Sequence, residues 1–80
     1  MIPLYGFLQG DTIGLLILAN EDDTAKTLAA KLVAAARVRV EPRAPLCVYH
    51  RGRALDAEVT VARAGIEALD RFDAVEDVGP

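Results

Sequence analysis

Cys47 and His50 stand in a C-x-x-H spacing, which is half of the ligand set of a structural zinc site. The adjacent acids Asp22-Asp23 and Glu76-Asp77 are paired carboxylates of the kind that acid–base chemistry uses. Neither constellation is complete. Four-coordinate zinc needs further Cys or His, and the chain has a single Cys and a single His. His50 has no evident triad, no Glu-x-x-His pair offers di-iron ligands, and no glycine-rich phosphate loop occurs. The spacing therefore assigns Cys47 and His50 to structural roles, Asp22-Asp23 to a helix cap and Glu76-Asp77 to a solvated tail. Tyr5, Phe7, Tyr49 and Phe72 fall at strand positions, where they serve a core or an interface rather than a ligand site. No catalytic, cofactor-binding or metal-binding residue is expected, nor any small-molecule site, so the chain is not expected to be an enzyme by itself.

The elements that position these residues can be read from periodicity. Apolar residues fill Ile2 to Leu8, Gln9-Gly10-Asp11 makes a turn, and Thr12 to Ala19 returns as a second strand, predicting a hairpin. Asn20-Glu21-Asp22-Asp23 then supplies turn and capping chemistry, so a helix should start near Thr24. Ala25, Leu28, Ala29, Leu32, Ala35 and Ala36 recur at three- and four-residue spacing, the pattern of an amphipathic helix of about three turns. Pro42 and Pro45 bracket a loop, Leu46 to His50 reads as a third strand, Gly52 as a tight turn, and Arg53-Ala54-Leu55 as a short return strand. Thr60 caps a single helical turn through Ala64, Gly65 ends it, and Arg71 to Glu76 alternates as a last strand. Residues 1–80 form one α+β domain.

Within the hairpin, Ile13-Gly-Leu-Leu-Ile-Leu18 has aliphatic residues at both odd and even positions. Alternation puts Ile13, Leu15 and Ile17 on one face and Leu16 and Leu18 on the other. A chain of 80 residues with one main helix cannot bury both faces of its sheet, so the second face calls for a partner.

The net charge of -3 and a pI near 4.9 disfavour nucleic-acid binding, which needs excess cations. Charges are uneven, with Arg37, Arg39, Arg43, Arg51 and Arg53 against Glu41 in one stretch, a pattern read as solvated side chains. A lone Cys47 forms no internal disulfide, no basic leader opens the chain, and no apolar stretch approaches the ~20 residues of a membrane span. A cytoplasmic location and no membrane contact are expected.

The order strand, strand, helix, strand, short strand, helical turn, strand resembles the ubiquitin-like β-grasp fold, a mixed sheet packed on one amphipathic helix. The resemblance rests on Thr12-Ile13-x-Leu15-x-Ile17, Leu28 and Leu32, Gly52 with Leu55, and Thr60-Val61 through Ile66. It departs in two places. Val78-Gly79-Pro80 lacks the Gly-Gly end of ubiquitin-type modifiers and sulfur carriers, which disfavours conjugation, and Leu16 and Leu18 replace solvent-facing acids. The chain also resembles the small γ subunit, protein B, of bacterial toluene monooxygenase hydroxylases. That likeness is carried by Pro3, the aliphatic second strand, an Asp before the helix, Lys31, Val40-Glu41-Pro42-Arg43 and Thr60-Val61-Ala62-x-x-Gly65-Ile66.

This second resemblance implies a non-catalytic accessory subunit of a multicomponent di-iron monooxygenase that hydroxylates aromatic or alkene hydrocarbons. It also implies large and medium hydroxylase subunits as partners, with the di-iron centre on the large subunit and no cofactor in this chain. The candidate interface has Ile2, Leu4, Leu16 and Leu18 at its centre, with Tyr49, Arg51 and Arg53 as additional contacts. The alternative is a free-standing ubiquitin-like adaptor without conjugation activity.

Overall fold

The computed structural model describes residues 1–11, 13–36 and 44–77. Strands β1 (Ile2–Leu8) and β2 (Leu15–Ala19) pair antiparallel, with Leu4 opposite Ile17 and Tyr5 opposite Leu16. Helix α1 (Ala25–Ala36) follows, then β3 (Leu46–His50), the two-residue β4 (Arg53–Ala54), the single turn α2 (Val61–Ala64) and β5 (Arg71–Glu76). The sheet order is β2-β1-β5-β3-β4, with β5 parallel to β1 and antiparallel to β3. First and last strands thus lie side by side, and the mixed sheet carries α1 on one face, as the β-grasp expectation requires.

Local chemistry explains the boundaries. The Thr27 N–H donates to Thr24 Oγ1 at 3.2 Å, so a hydroxyl caps α1 where the sequence suggested a carboxylate. Asp23 is used otherwise: its carboxylate accepts from the Asn20 N–H at 2.9 Å and from Lys31 Nζ at 2.6 Å. Arg51 (φ 54) and Gly52 (φ 78) occupy successive left-handed positions, the requirement of a tight primed hairpin turn between β3 and β4. Thr60 accepts from the Arg63 N–H to start α2, and Gly65, at φ 73, ends it.

The core lies between α1 and the inner sheet face. Leu28 and Leu32 of α1 meet Leu4, Ile17, Val48, Phe72 and Ala74 of the sheet, with Val61 and Ile66 closing one end. Helix and sheet approach so closely at Gly6 that an added Cβ would stand 2.8 Å from the Phe72 ring and 2.9 Å from Leu32. Ala35, expected on the buried stripe, is exposed, and the stripe ends on Ala36.

One core assignment is corrected. Ile13 is 51% exposed, because β2 begins only at Leu15 and alternation governs side-chain direction only within the strand. Thr12, Arg37, Arg39, Val40-Glu41-Pro42-Arg43 and Val78-Gly79-Pro80 lie outside the described residues.

Candidate docking surface

The sheet face opposite α1 carries no helix among the described residues. Its side chains follow from the register in cross-strand rows. Leu18 of β2 lies beside Pro3 of β1, and the Leu69 N–H donates to the Pro3 carbonyl at 2.6 Å, bringing Leu69 alongside. In the next row Leu16 lies beside Tyr5, which lies beside Arg71 of β5. Leu16 is 57% exposed, Leu18 52% and Tyr5 44% on this face, and Leu69, 60% exposed, meets it through the backbone at Pro3, so four large exposed apolar residues fall at this corner of the sheet. Leu69 also holds φ 68, a left-handed conformation that a bulky residue rarely adopts.

A polar lattice bounds this corner. Arg71 donates twice to Asp73 Oδ1, at 3.2 and 2.9 Å, and its guanidinium carbon stands 4.0 Å from the Phe7 ring centroid. The Phe7 ring in turn lies so close to Gly14 that an added Cβ there would approach within 2.5 Å. Phe7 is half-buried, and Asp73 stands opposite Phe7 of β1 on one side and Tyr49 of β3 on the other. The surface therefore reads as an apolar corner flanked by a guanidinium–carboxylate pair and two aromatic rings.

The expected interface residues separate on this frame. Leu16 and Leu18 are on the outer face and exposed. Leu4 is not: it is fully buried, paired with Ile17 toward α1, and Ile2, opposite Ala19 on that same inner face, packs against the core. Both are corrected from interface to core, since a cross-strand neighbour always shares its partner's face. Tyr49 is on the outer face but three strands away from β2, roughly 14 Å at normal strand spacing. Arg53 lies opposite His50 and so on the helix side, while Arg51 sits in the β3–β4 turn. Pro3, Tyr5 and Leu69 take the places vacated by Ile2 and Leu4. Tyr5 was read from the sequence only as a strand residue of a core or an interface, and nothing in the sequence singled out Leu69.

The polar groups inside the fold have structural partners. Asp70 Oδ2 accepts from the Glu67 N–H at 3.0 Å, lies 2.9 Å from the buried His50 Nε2 and meets Arg51 at 3.4 Å. The Glu67 amide first, and His50 second, hold the Asp70 carboxyl below the usual carboxylate range. One carboxylate thus ties the end of β3, its turn and the entry to β5. Lys31 first, and the Asn20 amide second, lower Asp23 in the same way. Cys47 faces outward opposite Val75 while His50 is buried on the inner side, so residues 47 and 50, an odd number apart on one strand, cannot converge on a metal. Among the described residues no group of three or more His, Cys, Asp or Glu is placed to hold a metal ion. No helix among them is long and apolar enough to cross a membrane.

Solved structures with this backbone arrangement are numerous. A chain of the structure described as "Toluene 4 monooxygenase HD Complex with Inhibitor 4-Bromobenzoate" superposes with a TM-score of 0.88 at 20% identity, covering 95% of this chain and 98% of that one. Caldiarchaeum subterraneum ubiquitin gives 0.77 at 18% identity, covering 98% and 95%. A chain of the structure "Molecular Mimicry of SUMO promotes DNA repair" gives 0.75 at 20% identity, covering 92% and 89%. These likenesses establish the ubiquitin-like β-grasp fold. No curated protein sequence matches the chain. The family model described as toluene-4-monooxygenase system protein B (TmoB) matches residues 1–75, and the chain belongs to that family.

Proposed function

We propose that this chain is a non-catalytic accessory subunit of a di-iron monooxygenase hydroxylase that acts on aromatic or alkene hydrocarbons. In this reading it packs against the large and medium hydroxylase subunits, and the large subunit holds the iron. The observation that carries the reading is the exposed corner of Leu16, Leu18, Tyr5 and Leu69 in a member of a monooxygenase-system family whose own core is already filled.

The apolar corner alone is too small to hold a partner. Each of the four side chains is already about half covered, so completing its burial contributes about 1 kcal/mol, or about 4 kcal/mol together. Association costs of at least that size oppose this gain. The contact must therefore extend beyond the corner, onto Pro3, Phe7 and the Arg71–Asp73 pair.

The test is co-expression with the large and medium hydroxylase subunits, comparing the parent chain with the Leu16→Glu/Leu18→Glu double variant. A carboxylate forced into a dry contact costs several kcal/mol, so the variant should fold normally and fail to co-purify. Undiminished co-purification of the variant would remove this surface from the interface. Failure of the parent chain to associate would remove the subunit role itself.

A further inference from the structure

We infer that Arg51, Arg53 and Arg63 form a cradle for a pair of carboxylates on an acidic segment of a hydroxylase subunit. This rests on the accessory-subunit reading above and names the chemistry that holds the partner beyond the apolar corner. The three side chains come from separate elements: Arg51 from the β3–β4 turn, Arg53 from β4 and Arg63 from α2. The fold brings them to one open cleft of about 390 Å³, which His50 and Gly65 also line. All three arginines are exposed.

Their charge is not neutralised among the described residues. Asp70 meets Arg51 at 3.4 Å, but the same carboxylate oxygen already accepts from the Glu67 N–H at 3.0 Å and lies 2.9 Å from His50 Nε2. Neither the Arg53 nor the Arg63 guanidinium has an ion-pair or hydrogen-bond partner among the described residues. Two guanidiniums are thus left to bind, and each can form paired N–H···O bonds with a planar carboxylate. Arg51 also holds φ 54 in a turn whose left-handed positions favour Asn, Asp or Gly, so an arginine stands there against local preference.

Position and charge together favour a subunit of the assembly as the occupant. Asp70, which Arg51 meets, directly follows Leu69 in the chain, so the cleft adjoins the apolar corner and supplies a charged rim to the same contact. A second copy fits poorly. A two-fold axis through the cleft would set the same guanidiniums against each other, and each chain carries a net charge of -3. A nucleic acid fits poorly too, because two unpaired cations displace few counterions and the acidic chain around them repels phosphate.

Association with the large and medium hydroxylase subunits tests this, measured for the parent chain, for the charge-reversed Arg53→Glu/Arg63→Glu and for Arg53→Lys/Arg63→Lys. Both positions are exposed, so both variants should keep the parent's unfolding midpoint. Charge reversal should cost at least about tenfold in affinity at about 0.05 M salt, and the loss should shrink at about 0.5 M as screening shortens the reach of the charges. In Arg53→Lys/Arg63→Lys, a carbodiimide should join the new amines to Asp or Glu of a hydroxylase subunit, located by mass spectrometry. Undiminished affinity on charge reversal, or no cross-link to a hydroxylase subunit, would overturn the cradle and leave the subunit role standing. A parent chain that forms no complex would overturn both. Cross-links only between two copies of this chain would overturn it in favour of self-association. Binding of duplex DNA by the free parent chain, abolished by charge reversal, would overturn it in favour of a phosphate backbone.

Discussion

Gly6→Ala isolates the close approach of helix and sheet on which the fold depends. The added methyl carbon would stand 2.8 Å from Phe72 Cζ and 2.9 Å from Leu32 Cδ1, well inside ordinary van der Waals contact. Both neighbours are fully buried, so neither can swing into solvent, and relief requires α1 to shift away from β1. Overpacking of this kind costs about 1–3 kcal/mol. The lower unfolded-state entropy of alanine returns up to about 1 kcal/mol. A net loss of about 1–2 kcal/mol corresponds, for a domain of this size, to a fall in Tm of roughly 5–15 °C. Thermal and urea unfolding followed by circular dichroism measure it. An unchanged or raised Tm would refute the reasoning, because it would mean that the Leu32–Phe72 layer has room for a methyl group. Gly6 faces α1, so at temperatures where the variant is folded its affinity for the hydroxylase should match the parent's.

Two further outcomes can be checked on the isolated chain. The folded Asp70 carboxyl lies below its ordinary value, so as pH falls the unfolded chain takes up that proton first. Its stabilisation is full above the unfolded pKa near 3.8 and is lost as pH drops through the lower folded value. Asp70→Asn should therefore destabilise the chain at pH 7 by about 1–3 kcal/mol in urea unfolding, with a gap that narrows below pH 4; a constant gap would exclude the carboxylate as its source. Lys31→Met removes a partly exposed ion pair worth at most about 1 kcal/mol, so the Tm followed by circular dichroism should fall by no more than about 4–8 °C. A larger fall would show that the Lys31 contact with the Leu18 carbonyl adds to the ion pair.

Much of the fold was legible because its determinants are local. The α1 stripe of Ala25, Leu28, Ala29 and Leu32 declares itself by a period that a helix alone satisfies, and Thr60 with Gly65 brackets α2 by a hydroxyl cap and a left-handed exit. The Phe72/Ala74 against Asp73 alternation of β5 is equally plain, since polar residues mark one side.

The face of β1 was not legible, and with it half of the expected docking centre. Ile2, Pro3, Leu4, Tyr5, Phe7 and Leu8 are apolar at odd and even positions alike, so alternation assigns no side. Only pairing decided it: β2 starts at Leu15 rather than at Thr12, Leu4 comes opposite Ile17, and Tyr5 and Pro3 turn outward. Leu69 depends on a still longer-range fact, the parallel entry of β5 beside Pro3, which no window of sequence contains. The sequence by itself determined that two leucines of β2 had no place in an 80-residue core. Tertiary register decided which residues stand beside them, because a side chain's face in a sheet is set by the partner strand and not by its own neighbours in the chain.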